Sequence, residues 1–195
     1  MKRYTLAWGE LTAVEATLDE IARHAPALAA GYNEPRNAEL MGHTAALSPA
    51  EVVESYAEGI AAGMRAFLLF ERDALVGDAD LRNIRDGAAE FAFMIAAPSA
   101  QGKGLGTRFA QMIHAFGLLE LGLARIYASV VPHNVASRRV FEKLGYTIDD
   151  SPAARAFADE PGDVTLVLTA DEPARHRVRA LAVQIRSEVV PDPVG

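Results

Sequence analysis

Residues 66–95 carry three stretches, AFLLFE, ALVGDADL and AEFAFMI, rich in apolar residues with a two-residue alternation, and this pattern predicts strands. The second and third are separated by residues 83–87, whose Asp86-Gly87 pair favours a tight turn, so the segment reads as an antiparallel meander. Ahead of it, a short strand over residues 3–7 precedes a helical pattern over residues 10–30, ended by Gly31. Residues 32–47, with Asn33, Pro35, Gly42 and His43, read as a loop with room for one helical turn. Ser48-Pro49-Ala50-Glu51 then signals a new helix: Ser48 caps the free amides, Pro49 suits the first helical position, and Glu51 completes a capping box. Beyond the meander come a glycine-rich turn, a helix over 104–121, the strand RIYASVV, a helix over 134–144, and strands near 146–149 and 164–169. This order predicts an α/β (α+β) fold, a mixed sheet with helices on its faces.

The tail beyond Asp171 differs in composition. Ala174, Val178, Leu181, Ala182 and Ile185 recur at helical spacing among Arg175, Arg177, Arg179 and Arg186, which predicts a terminal amphipathic helix docked on the domain or on a second subunit of a homodimer. Residues 1–170 then form one domain and 171–195 a helix and tail. A chain of 195 residues, 50% hydrophobic and 23% charged, can bury one sizeable core. Its net charge of −7 argues against a nucleic-acid partner, which calls for a basic stripe. No apolar run approaches the roughly 18 residues of a membrane span, and the start lacks the pattern of a signal peptide. The expectation is a cytoplasmic protein. With no cysteine, disulfides, thiolate metal sites and thiol nucleophiles are excluded. The histidines do not cluster, and no metal site is expected.

The strongest local signal is Gln101-Gly102-Lys103-Gly104-Leu105-Gly106, placed between an apolar strand and a helix. Its glycines let the backbone approach a ligand closely, and the first-turn amides of the following helix have no internal partners, so the turn suits a phosphate group. Lys103 offers a charge-assisted contact, and Arg108 lies one turn into the helix, within reach of a second phosphate. A Walker A loop needs Ser or Thr directly after its Lys, but Lys103 precedes Gly104; the dinucleotide fingerprint needs glycine where this chain has Thr107.

From Phe91 to Tyr146 the sequence resembles the GNAT superfamily of N-acetyltransferases. Residues 101–106 match that family's (Gln/Arg)-x-x-Gly-x-(Gly/Ala) pyrophosphate motif, preceded by FAFMIAAP and followed about 30 residues later by NVASRRVFEKLGY. Asn-x-x-Ser-Arg-Arg is similar to the branch that acetylates the N-termini of ribosomal proteins. The resemblance implies a mostly antiparallel sheet of about seven strands whose fourth and fifth strands, here residues 90–96 and 125–131, splay to admit the pantetheine arm of acetyl-CoA. The arm pairs with the backbone of Phe93, Met94 and Ile95; the pyrophosphate rests on the turn from Gln101 through Thr107; and Asn134 and Ser137 meet the arm from the next helix.

Acetyl transfer to an amine needs a neutral nucleophile, donors for the developing oxyanion and a proton source for the departing thiolate. The backbone amide of Met94 or Ile95 is the oxyanion candidate. Many relatives place a tyrosine seven residues after the helix-starting Asn, but Phe141 stands there and cannot donate a proton. Ser137, one helical turn from Asn134, is the replacement that the resemblance suggests; a helix serine bonded to a backbone carbonyl is the alternative. Tyr146 is expected in the core. Glu90, at the start of the splayed strand, is the expected general base, with Asp78 and Asp80, which share a strand face, as further candidates. Residues 32–43 and 151–162 are expected to frame an amine acceptor, attracted by Asp149, Asp150, Asp159 and Glu160, while Arg36 and Arg155 are equally able to anchor a carboxylate. The function expected is transfer of acetyl from acetyl-CoA to a primary amine; the rival is a catalytically silent acyl-CoA-binding module.

Overall fold

The computed structural model describes residues 2–42 and 45–190; His43 lies outside them. Nine strands form one sheet: β1 (Arg3–Trp8), β2 (Leu11–Glu15), β3 (Arg65–Glu71), β4 (Ala74–Arg85), β5 (Ala88–Ile95), β6 (Arg125–Val130), β7 (Thr147–Ile148), β8 (Val164–Thr169) and β9 (Arg186–Val190). Their spatial order is β7-β8-β6-β5-β4-β3-β2-β1-β9, antiparallel throughout except for β5 and β6. The helices are α1 (Leu18–Tyr32), α2 (Pro35–Met41), α3 (Pro49–Ala61), α4 (Leu105–Ala115), α5 (Val135–Leu144), α6 (Pro152–Arg155) and α7 (Glu172–Ala182). Among the described residues no helix is long and apolar enough to cross a membrane.

The sheet has nine strands rather than seven, and the two additions, β2 and β9, flank β1 on one side of the sheet. LTAVE, absorbed above into a helical pattern, is β2, paired with β1 and β3. Leu11, Ala13 and Glu15 are buried while Thr12 and Val14 are half-buried, a two-residue alternation that alanine-rich surroundings disguise. The helix begins only after Thr17, where Thr17 and Glu20 form a capping box. Arg186–Val190, placed above in the tail, pairs with β1 as an edge strand. α7 docks through Ala174 and Val178 onto the same core as α4.

Two hydrophobic layers sandwich the sheet. On one face Ile21, Leu28, Val52 and Tyr56 from α1 and α3 cover Ala66 and Leu68 of β3. On the other, Phe109, Met112, Ile113 and Phe116 cover Phe67, Leu69, Leu81 and Phe91. The alternation along β4 sends Ala79 and Leu81 into this second layer and leaves Asp78 and Asp80 on the α1/α3 side.

β5 and β6 run parallel but pair only from Ala88↔Arg125 to Glu90↔Tyr127. Past that point β6 continues beside β8, and β5 beside β4, so the sheet opens between them. Beside the opening, Gly77 of β4 lets the β5 backbone approach closely. A Cβ there would lie 1.9 Å from the carbonyl oxygen of Met94, so no other residue fits without shifting β5.

Candidate active site

A cleft of about 550 Å³ occupies the opening. Its walls come from both faces of the sheet: Phe91, Phe93, Ser137 and Phe141 from the α4/α5 side, and Asp78, Asp80, Tyr32 and Tyr56 from the α1/α3 side. It therefore passes through the sheet, a path that consecutive strands close wherever they remain paired.

The glycine turn adjoins this cleft. Gly102 and Gly104 hold φ of +73° and +78°, values that side chains disfavour, and Gly104 starts α4 with no side-chain hydrogen bond capping its first turn. The first-turn amides of Leu105, Gly106 and Thr107 consequently point outward with a positive helix end behind them. Gly106 sits against Phe93, whose ring would lie 3.0 Å from a Cβ at that position, so turn and cleft share a wall. Lys103 is exposed beside the turn, whereas Leu105 is buried in the core. The Gln101 side chain is spent on structure: its amide nitrogen donates to Asn37 Oδ1 at 2.9 Å and to the Ile95 carbonyl at 2.8 Å. Arg108 lies over the Trp8 ring at 4.7 Å and donates to the Trp8 carbonyl.

Asn134 caps α5, accepting from the Ser137 amide at 3.0 Å, and donates to the Leu40 carbonyl at 2.9 Å. His133 meets the Glu39 carbonyl at 3.0 Å. The end of α2 is thus tied to the start of α5 across the opening. Ser137 lines the cleft, as does Phe141, whose ring meets those of Phe91, Phe93 and Tyr146 edge-on and presents no donor. Tyr146 is in the core, with its hydroxyl against His114. Met94 is buried, with its methyl group near Gly31 of α1, so any oxyanion contact from Met94 is a backbone contact. Beyond Glu90 the β6-facing backbone of β5 has no strand partner, which exposes amides of the Phe93 to Ile95 segment to the gap.

The carboxylates sort differently from the sequence reading. Glu90 is 2% exposed and does not line the cleft. One of its oxygens accepts from Arg82 at 2.8 Å and the other from Asn83 at 2.9 Å. Arg82 also donates to both oxygens of Asp159. Burial works against the Arg82 charge, but Asp80 and Glu90 outweigh it and hold the guanidinium protonated. Asp80 does line the cleft, is 8% exposed, and its Oδ1 has no hydrogen-bond partner; Arg82 Nε stands 3.8 Å away. Burial pushes the Asp80 carboxyl up to about 7, against the pull of Arg82 and helped by Asp78, Glu90 and Asp159. Asp78 accepts at Oδ2 from Tyr56 at 2.7 Å and Tyr32 at 2.8 Å, while its Oδ1 is unpartnered. Burial raises its pKa, and the two tyrosine donors oppose that rise.

The two segments expected to frame an acceptor meet here: Tyr32, Leu40, Met41 and Gly42 line one side, Asp159 and Glu160 the other. Asp149 and Asp150 do not reach the cleft, and neither does Arg36 or Arg155, whose Nε donates to the Asp150 carbonyl. Tyr56, Arg82, Ser129 and Asp163 join the lining without having been singled out. Asp163 Oδ2 accepts from Ser129 Oγ at 2.7 Å.

A family description, the acetyltransferase (GNAT) domain, matches residues 16–147. Over 108 residues the chain is 33% identical to the alpha/beta-tubulin-N-acetyltransferase 9 of Mus musculus, covering 54% of this chain and 42% of that protein. This chain spans less than half the length of the curated relatives it matches. Among solved structures, RimJ of Mycobacterium smegmatis in complex with CoA-disulfide superposes with a TM-score of 0.66 at 18% identity, over 95% of this chain and 96% of that one. A ribosomal-protein-S5-alanine acetyltransferase from Vibrio fischeri gives 0.66 at 15% identity, over 86% and 97%. At these identities the likeness is one of fold.

Proposed function

The chain belongs to the GNAT acetyltransferase family, and from that premise we propose that it moves an acetyl group from acetyl-CoA to a primary amine by direct attack. The observation that carries this reading is the cleft that crosses the sheet, because it lets a thioester on the α4/α5 side meet an amine arriving from the α1/α3 side. The α4 turn from Gly102 to Thr107 offers backbone amides to the pyrophosphate, and the unpaired edge from Phe93 to Ile95 offers them to the pantetheine arm. The RimJ structure, whose complex contains CoA-disulfide, supports the same choice of cofactor.

Acetyl-CoA supplies an activated acyl carbon and a thiolate leaving group. Asp80 takes the proton of the incoming ammonium, directly or through a water, since its Oδ1 is free to accept and its pKa of about 7 lies near neutrality. The amine nitrogen then bonds to the carbonyl carbon, and a β5 amide holds the oxyanion. After attack the nitrogen still carries a surplus proton, which it loses as the amide forms. As the carbon–sulfur bond breaks, Ser137 hydrogen-bonds the departing thiolate, which takes up that second proton and leaves as the thiol, while the first passes from Asp80 to solvent. Glu90 fixes Arg82 and thereby the field around Asp80.

A second reading, a silent acyl-CoA-binding module, draws on the donorless Phe141 in the cleft wall. Free-thiol release from acetyl-CoA, measured against peptides and small amines, separates the two. Acceptor-dependent CoA release is expected; tight CoA binding without turnover across the panel would favour the module.

A further inference from the structure

The acceptor side of the cleft is charged on one sign and nearly complete in acceptors. Among the described residues six carboxylates line it, namely Glu51, Asp78, Asp80, Asp159, Glu160 and Asp163, against one cation, Arg82, whose Nη2 Glu90 and Asp159 engage and whose Nε stands 3.8 Å from Asp80 Oδ1. Most of the donors in the wall are committed as well. Tyr32 and Tyr56 donate to Asp78, Ser129 to Asp163, and Asn134 to the Leu40 carbonyl. Against this, Asp78 Oδ1 and Asp80 Oδ1 are buried and unpartnered in side chains that are 5% and 8% exposed. Such atoms are costly unless a ligand satisfies them.

A wall that accepts but barely donates fits a ligand that donates and does not accept. Ammonium groups have that character; a peptide does not, because each residue brings a carbonyl that needs a donor. A carboxylate on the acceptor would have to compete with Asp80, Glu90 and Asp159 for Arg82, the one cation among the described lining residues. The carboxylates also lie in two groups, Asp78 and Asp80 deep on β4 and Glu160 and Asp163 at the mouth, in the segment that leads into β8. We propose that the acceptor is a small molecule bearing at least two ammonium groups and no carboxylate. Asp80 and Asp78 receive the amine to be acetylated, and Glu160 and Asp163 hold the second cation. This rests on the acetyltransferase reading above and names its substrate class.

The test uses the full chain, acetyl-CoA and three acceptors that differ only at one end: putrescine, n-butylamine and γ-aminobutyrate. An alanyl peptide is run alongside. Putrescine should exceed n-butylamine in kcat/KM by about ten- to a hundredfold, the span of one or two charge-assisted hydrogen bonds, and γ-aminobutyrate should be poorest. Added salt should narrow the gap by screening. Glu160→Gln, at an exposed position where folding is not at stake, and its combination with Asp163→Asn should raise the KM for putrescine and erase most of its advantage. Equal efficiency on putrescine and n-butylamine, or a clear preference for the peptide, would overturn the dication proposal and leave acetyl transfer intact. CoA binding with no thiol release from any of the four would overturn the acetyltransferase reading and the proposal with it.

Discussion

Arg82 donates to Glu90 at 2.8 Å across the β4–β5 register, in which the two residues stand directly opposite each other. That pairing takes Glu90 out of the cleft and leaves Asp80, two residues back along β4 on the same face as Arg82, with an open oxygen; Asp78 also has one, but its other oxygen is held by Tyr32 and Tyr56. Asp80→Asn should therefore lower turnover near pH 7 by about a hundredfold or more, with part of the loss recovered at higher pH as free amine accumulates. The wild-type rate should rise with pH through about 7 as Asp80 loses its proton. Glu90→Gln should instead cost stability, about 1–3 kcal/mol for a charged hydrogen bond, and affect turnover less. Rate profiles against pH together with denaturation curves of both variants check this; a larger kinetic loss in Glu90→Gln would return the base to Glu90. Stability supplies an independent reading. A folded pKa of about 7 lies above the unfolded value, so the native state binds the proton more tightly and loses stability as pH rises from about 4 to 7. Asp80→Asn should consequently be more stable than wild type above pH 7.

The glycine turn proposed to hold the pyrophosphate makes a second prediction separable from folding. At Gly104 nothing lies within 4 Å of an added Cβ, so a side chain there meets only the strain of φ +78° and whatever ligand approaches. Gly104→Val should reduce CoA affinity by more than tenfold, equivalent to about 1.4 kcal/mol, in a chain that still folds. Titration calorimetry with CoA measures it, and unchanged affinity would remove the turn from the site.

What the sequence revealed most clearly is what neighbouring residues decide among themselves. The Ser48/Glu51 capping box, the Asn134 cap and the left-handed glycines at 102 and 104 depend on spacings of a few residues. β2 was hidden because Ala13 and Ala16 suit a helix as readily as a strand, and only pairing with β1 and β3 decides between them. Asp80 emerged over Glu90 through contacts that no local pattern encodes: the β4–β5 register brings Arg82 to Glu90, and Tyr56 reaches Asp78 from α3, 22 residues away in sequence. Arg108 shows the same limit, since its partner Trp8 lies 100 residues away in sequence.

Ser137 and Phe141 lie one helical turn apart on α5, both in the cleft wall, and together they yield a paired prediction. If Ser137 holds the thiolate as proposed, Ser137→Ala should lower kcat by roughly ten- to a thousandfold with little change in CoA affinity, because such a hydrogen bond strengthens as the sulfur gains charge. Adding Phe141→Tyr to that variant restores a hydroxyl to the same face and should recover part of the rate. Wild-type turnover in Ser137→Ala would confine Ser137 to its place in the helix.

The last prediction concerns the buried pair of His114 and Tyr146, which pack behind Phe91 and Phe141 of the cleft wall. His114 Nδ1 meets the Ala110 carbonyl, which fixes that nitrogen as the donor, so Nε2 accepts from the Tyr146 hydroxyl. Burial lowers the pKa of His114 to about 4, against a small opposing effect of the Ala110 bond. The unfolded chain, with an ordinary histidine pKa near 6.5, takes up this proton first. Between those two values the unfolded state binds more protons than the native one, so stability falls as the solution is acidified and rises as it is made alkaline. A displacement from about 6.5 to about 4 corresponds to roughly 3 kcal/mol, lost progressively across that window. His114→Gln keeps one side-chain donor and one acceptor and cannot titrate; it should therefore flatten the acid limb of the stability curve even if it lowers stability at pH 7. Urea denaturation of both proteins at pH 7, 6 and 5 measures the slope, and parallel slopes would show that another group carries the acid sensitivity.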